Sequence, residues 1–220
     1  GYGDDGPEAH LRTLASMRDW VRANPADYRL VDGVDDIAAA RAAGQLAVGF
    51  DIEGANAIDD QLSLLGLYRD LGVRWMLLAY NRNNRAGGGC QDADPGLTDF
   101  GRRMLHEMAR VGIVACCSHT GYRTAREAID ESPTPVIFSH SNARALVDHP
   151  RNIPDDLIRA CAARGGVVGV NGIGIFLGGN DASVANVARH VLHMLDLVGP
   201  SHVGLGLDYI FDASELAAEI

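Results

Sequence analysis

Ile113-Val114-Ala115-Cys116-Cys117-Ser118-His119 and, one helical stretch later, Pro135-Val136-Ile137-Phe138-Ser139-His140 are built alike. Each is an apolar run of strand length that ends in a side chain able to carry a proton or bind a metal. Moving outward, the same design recurs three times. Leu46–Ile52 runs into Glu53, Arg74–Ala79 into Tyr80, and Val203–Leu207 into Asp208, while Val167–Val170 is a further apolar run. Runs this apolar suit strands buried on both faces, as in a parallel sheet covered by helices.

Helical periodicity fills the intervals. It predicts helices over Pro7 to about Asn24, Val34–Ala43 (ended by Gly44), Gln61–Leu71, Asp99–Val111, Thr124–Glu131, Asp155–Arg164 and Val184–Leu197, with another from near Ser214. No Pro/Ser-rich linker and no solenoid repeat interrupts the alternation, which predicts one α/β domain over residues 1–220. An open doubly wound sheet gathers its ligand at one switch point, whereas a barrel collects residues from many strand ends. Five strands ending in Glu53, Tyr80, His119, His140 and Asp208 therefore favour a (β/α)8 TIM-type barrel. Six strands are counted where a barrel needs eight, so the chain is expected to supply the third to eighth and to be incomplete at both ends.

Composition narrows the chemistry. All 19 basic residues are arginine and the formal net charge is −10. Without lysine the chain has no Schiff-base amine, no Walker-type phosphate loop and no carbamylated-lysine metal bridge. The acidic balance argues against a nucleic-acid partner, which requires a basic stripe. Cys90, Cys116, Cys117 and Cys161 contain no Cys-x-x-Cys pair, and Cys116-Cys117 are adjacent inside an apolar run. They read as reduced, mostly buried thiols and point to a cytoplasmic protein. No run reaches membrane-helix length and the first residues lack signal-peptide character. Two imidazoles and two carboxylates at strand ends fit a divalent-metal hydrolase, since zinc accepts both ligand types and acidifies water.

Other residues invite weaker readings. His190 and His193 are spaced as a helical metal pair, but Arg189 and Asp196 flank them and a surface or packing role is expected. His106, His149 and His202 are expected to be structural or solvated. Gly87-Gly88-Gly89 lacks the lysine and helix register of a phosphate cradle and reads as a mobile loop between strand and helix.

The residues also carry a resemblance. Asp51-Ile52-Glu53-Gly54-Ala55-Asn56-Ala57-Ile58-Asp59 resembles the segment of the membrane (renal) dipeptidase family that bears its bridging glutamate. Ser118-His119, Phe138-Ser139-His140-Ser141-Asn142-Ala143, Arg151-Asn152-Ile153-Pro154-Asp155-Asp156 and Gly204-Leu205-Gly206-Leu207-Asp208 resemble that family's later blocks, in order. The similarity runs from about Pro7 to Phe211. It implies a (β/α)8 barrel with two Zn2+ ions that hydrolyses dipeptides, often with a C-terminal D-residue, through a metal-bridging hydroxide. Glu53 would bridge the zinc ions, His119 and His140 would ligate the second, and Asp208 would be the acid/base. Arg151 would bind the substrate carboxylate, a task suited to a planar two-pronged donor.

Two departures stand out. The family's opening His-x-Asp motif, which completes the first metal's ligands, does not occur: His10 is followed by Leu11-Arg12. Tyr80 stands where renal members carry a substrate-contacting histidine, and the tyrosine form resembles a bacterial branch; a phenol can still donate to a developing oxyanion. The expected partner is a small peptide, with neither nucleic acid nor membrane, and a homodimer is the expected assembly. Hydrolysis of N-acyl amino acids or peptide maturation on the same site, and a metal-free barrel acting as a binding protein, are the alternative readings.

Overall fold

In a computed structural model of the chain, residues 5–209 are described. The chain divides into two compact units, Gly1–Val136 and Ile137–Ile220. The helix expected near Ser214 lies outside the described residues.

The first unit opens with α1 (Pro7–Ala23), whose proline occupies the first helical turn, where a missing N–H costs nothing. Then follow β1 (Tyr28–Leu30), α2 (Val34–Ala43), β2 (Leu46–Val48), β3 (Phe50–Ile52), a 3-10 turn at Ala55–Ile58, α3 (Leu64–Leu71), β4 (Val73–Leu77), α4 (Asp99–Val111), β5 (Val114–Cys116) and α5 (Tyr122–Glu131). β1 pairs with β2, β3 with β4, and β4 with β5, each in parallel. The expected run Leu46–Ile52 is divided at Gly49, so its first half pairs back to β1 and its second half forward to β4. β1 is a strand the sequence reading does not contain.

Helices end where their sequences provide for it. Gly44, Gly72 and Gly112 close α2, α3 and α4 in the left-handed conformation that glycine adopts without a Cβ penalty. Thr98 caps α4 by accepting the Gly101 N–H at 3.0 Å. The inner stripe of α4, Phe100, Met104, Leu105 and Met108, is buried together with Met76, Leu77, Leu78 and Ile113. Both Cys116 and Cys117 are buried, which fits a strand covered on both faces.

The Gly87–Gly89 stretch is packed and pinned, correcting the expectation of a mobile loop. Gly88 N–H donates to Thr124 Oγ1 at 2.8 Å and Gly89 N–H to Asn83 Oδ1 at 3.0 Å. A β-carbon at Gly88 would fall on Asp94, and one at Gly89 on the Asn81 backbone.

The second unit contains a parallel bridge at Phe138 to Val168, then α6 (Asp155–Ala163), β6 (Val168–Val170), the single turn α7 (Gly174–Leu177), α8 (Val184–Val198), a 3-10 turn at Pro200–His202 and β7 (Val203–Leu205). β6 and β7 pair in parallel with Val170 opposite Leu205. Phe138, Leu157, Ile158, Cys161, Val168, Val170 and Met194 form its core.

Two glycines set the strand spacing here. A β-carbon on Gly169 or Gly206 would collide with the Ser139 carbonyl oxygen, so these strands approach as closely as they do only because both side chains are absent. Gly169→Ala is expected to destabilise the intact protein by about 1–3 kcal/mol, read as a lowered urea midpoint with an unchanged m-value.

Candidate metal centre and substrate site

In the first unit, β3 ends directly in Glu53, which is half-buried and followed by Gly54 at φ 126°. β4 continues through buried Leu78 and Ala79 to Tyr80, and β5 continues through Cys117 and Ser118 to His119. The Tyr80 and His119 rings stack with centroids 4.1 Å apart. His119 is 5% exposed.

His119 and Asn81 both have positive φ, 63° and 56°. That region is sparsely allowed for side-chain-bearing residues, and asparagine, aspartate and histidine enter it most readily. The turn directs His119 Nδ1 to Asn81 Oδ1 at 2.8 Å. A carbonyl oxygen only accepts, so Nδ1 carries the hydrogen and Nε2 presents the lone pair used in metal ligation. Asn81 is held in turn by Gln91 N–H, which donates to its carbonyl at 2.8 Å. Asn81 is a positioning residue absent from the sequence-based candidates, and its signal is its place directly after Tyr80, the residue that closes the apolar run.

In the second unit, His140 is 6% exposed, with Nδ1 2.8 Å from Ser139 Oγ. Burial, reinforced by the Arg151 guanidinium and opposed by Asp208, pushes its pKa down to about 4. The imidazole is therefore neutral near pH 7, the form that binds metals.

Arg151 is likewise buried, its guanidinium 5.2 Å from the centroid of the Phe176 ring, on which His149 also packs at 4.8 Å. Such packing fixes a planar fork in one orientation. Asp208, three residues past the end of β7, has φ 57° and accepts from Asn171 Nδ2 at 2.8 Å. Within this unit Arg151 and Asp208 thus both act on His140, in opposite directions.

The remaining histidines do other work. His190 is wholly buried and accepts the Ala143 N–H at 3.2 Å, while His193 reaches Asp155 at 2.9 Å, tying α8 to the first turn of α6. His202 meets the Gly166 carbonyl at 2.8 Å, and His106 is exposed. These are the packing and surface roles expected of them.

The donor chemistry fits a divalent metal. Glu53 offers a carboxylate, His119 an Nε2 whose ring is oriented from the other nitrogen, and His140 a neutral imidazole. Among the described residues, no helix is long and apolar enough to cross a membrane.

Comparison with known proteins agrees with this chemistry. The family described as Membrane dipeptidase (Peptidase family M19) matches residues 2–219. An uncharacterized dipeptidase of Schizosaccharomyces pombe is 38% identical over 192 residues, covering 83% of this chain and 46% of that protein. The dipeptidase tcpJ of Claviceps purpurea is 36% identical over 181 residues, covering 80% of this chain and 42% of that one. Among solved structures, an amidohydrolase from Pseudomonas aeruginosa superposes with a TM-score of 0.92 at 32% identity, over 96% of this chain and 65% of its own. A metallo peptidase from Rhodobacter sphaeroides, liganded with a phosphinate mimic of the dipeptide L-Ala-D-Ala, gives 0.87 at 28% identity, over 92% and 61%. The chain spans less than half the length of the curated relatives. Its parallel β/α units are those of the TIM-barrel fold of these structures, as the strand-end pattern implied.

His149 gives this arrangement a pH signature. Burial, then Arg151 and Arg144, lower its pKa below the ordinary 6.5, and Arg151 N–H donates to its Nδ1 at 3.1 Å. Protonation must surrender that bond, so the folded state binds fewer protons than the unfolded chain. The stabilisation from neutral His149 is complete above the ordinary histidine range and falls away as pH drops through it. In NMR titrations of the intact protein, Arg151→Gln is expected to raise the His149 midpoint towards 6.5; an unmoved or lowered midpoint would count against the assignment.

Proposed function

This chain belongs to the membrane dipeptidase family, and on that premise we propose that the protein is a metal-dependent hydrolase of the amide bond in dipeptides. The observation that carries the reading lies in the second unit. The buried imidazole of His140 lies within the electrostatic reach of both the buried Arg151 guanidinium and the Asp208 carboxylate. These are, in that order, a metal ligand, an anchor for a free carboxylate and a proton-transfer group.

Membership of a metallopeptidase family implies a metal. We propose that the metal is zinc, two ions in all, for which Glu53, His119 and His140 would supply carboxylate and imidazole ligands. Bound there, zinc would supply a Lewis acid that polarises a carbonyl and acidifies water.

The chain's own residues do the rest. Arg151, packed on Phe176, holds the C-terminal carboxylate of the substrate in a two-pronged grip. Asp208 takes a proton from the attacking water and returns it to the leaving amine. Tyr80, fixed against His119, donates its phenolic O–H towards oxygen as negative charge develops there. We further propose small dipeptides, including those with a C-terminal D-residue, as the substrate class. We also propose a cytoplasmic location, a compartment suited to a chain whose cysteines form no Cys-x-x-Cys pair and in which Cys116, Cys117 and Cys161 are buried.

A panel of L,L-dipeptides, L,D-dipeptides and N-acyl amino acids tests the reading on the intact protein. Turnover of dipeptides that is lost on chelation and restored by zinc is expected. Turnover of N-acyl compounds alone would replace the dipeptidase reading with an acyl-amino-acid one, and a protein that takes up no metal would be a binding barrel. Asp208→Asn is expected to retain its metal, measured by atomic emission, while kcat falls by about 10³-fold or more.

A further inference from the structure

Beyond the strand-end residues, the second unit contains a polar chain that ends on Asp208. Asn142 and Asn171 are 0% and 1% exposed, an unfavourable placement for amides unless their hydrogen bonds are made. They are made, and each bond fixes the next. Asn142 Nδ2 donates to the Asn171 carbonyl at 3.2 Å, and Asn142 Oδ1 accepts the Asn171 N–H at 3.1 Å. One side chain thereby occupies both backbone groups of the other residue.

The Asn171 side chain is then oriented from its far end. Its Oδ1 accepts the Ile173 N–H at 2.6 Å. An N–H donor cannot face an amide nitrogen, so oxygen must point to Ile173 and Nδ2 must point to Asp208, whose Oδ2 it meets at 2.8 Å. The backbone adds a second fixture: Gly172 N–H donates to the Leu207 carbonyl at 3.1 Å and Gly206 N–H to the Val170 carbonyl at 3.0 Å, on either side of the contact. Asp208 itself turns off the strand at φ 57°.

We propose that Asn171 is a positioning residue for Asp208, fixing Oδ2 so that Oδ1 is the oxygen presented to the reacting water. The assignment rests on the hydrolase reading given above. A carboxylate on a strand end can rotate about its terminal torsion, since sp³–sp² torsions are broad. A buried, singly oriented donor removes that freedom before substrate arrives. Asn171→Asp keeps the shape and the Ile173 bond but replaces the donor by a like charge. Asn171→Ala removes the donor without adding charge.

The experiment compares both variants with the parent in the intact, zinc-loaded protein. It measures kcat and KM on a dipeptide the parent cleaves, zinc content and the thermal unfolding midpoint. The expected result is a fall in kcat of about a hundredfold, with KM within about twofold and zinc content unchanged. A kcat within about threefold of the parent in either variant, or a loss expressed only in KM, overturns the proposal. Loss of zinc or of cooperative unfolding in both variants assigns Asn171 to the scaffold and overturns it equally. A parent that cleaves no dipeptide defeats the hydrolase reading itself, a result distinguishable from all of these.

Discussion

Backbone pairing between parallel strands fixes the residue at which each strand must leave the sheet, and in this protein the candidate site residues Glu53, Tyr80, His119 and Asp208 follow within one to three residues of that point. The strands are only three to five residues long, so little of each is spent on the ladder and the departure point is sharply defined. Where β4, β5 and β7 give way to loops, Asn81, His119 and Asp208 take positive φ. Backbone in this region costs free energy that the surroundings must supply. Here they do so through named bonds: Asn81 to His119 and Gln91, and Asn171 to Asp208. The residue types most tolerant of this conformation are also those able to ligate, orient or transfer a proton. Backbone need and chemical need therefore converge on the same positions.

That convergence explains what was legible in the sequence. A polar residue closing an apolar run is visible without coordinates, which is why Glu53, Tyr80, His119, His140 and Asp208 could be picked out together. Asn81 and Asn171 close or follow runs in the same way but read as ordinary turn residues, because asparagine is common in turns for local reasons. Their function depends on a partner 38 or 37 residues away, and no local pattern reports that.

The fold was readable on similar terms. Helices with one apolar stripe, such as α4 and α8, were found almost to the residue, since burial of that stripe selects both the period and the ends. Tyr28–Leu30 was not, because three half-buried residues with a central arginine show no alternation to detect. The division of Leu46–Ile52 at Gly49 was hidden for another reason. It is a choice of pairing partner, β1 for one half and β4 for the other, and an apolar run looks the same whichever neighbour it pairs with. Gly174–Leu177 is one turn, too short for periodicity to register.

The absence of lysine acquires a physical meaning in the second unit. His140 and His149 both sit near Arg151, and both are kept neutral partly by its charge. An ammonium in that buried position could lose its proton, since burial lowers a lysine's pKa readily; a guanidinium does not. Arginine therefore supplies a permanent charge that can grip a carboxylate and hold neighbouring imidazoles unprotonated at once. Asp208 works against it, drawing His140 the other way. To serve as the proposed base, the carboxylate must be placed close to the site without drawing a proton onto the imidazole. Fixing one of its oxygens on Asn171 sets that placement through geometry, where distance alone would leave it to torsional chance.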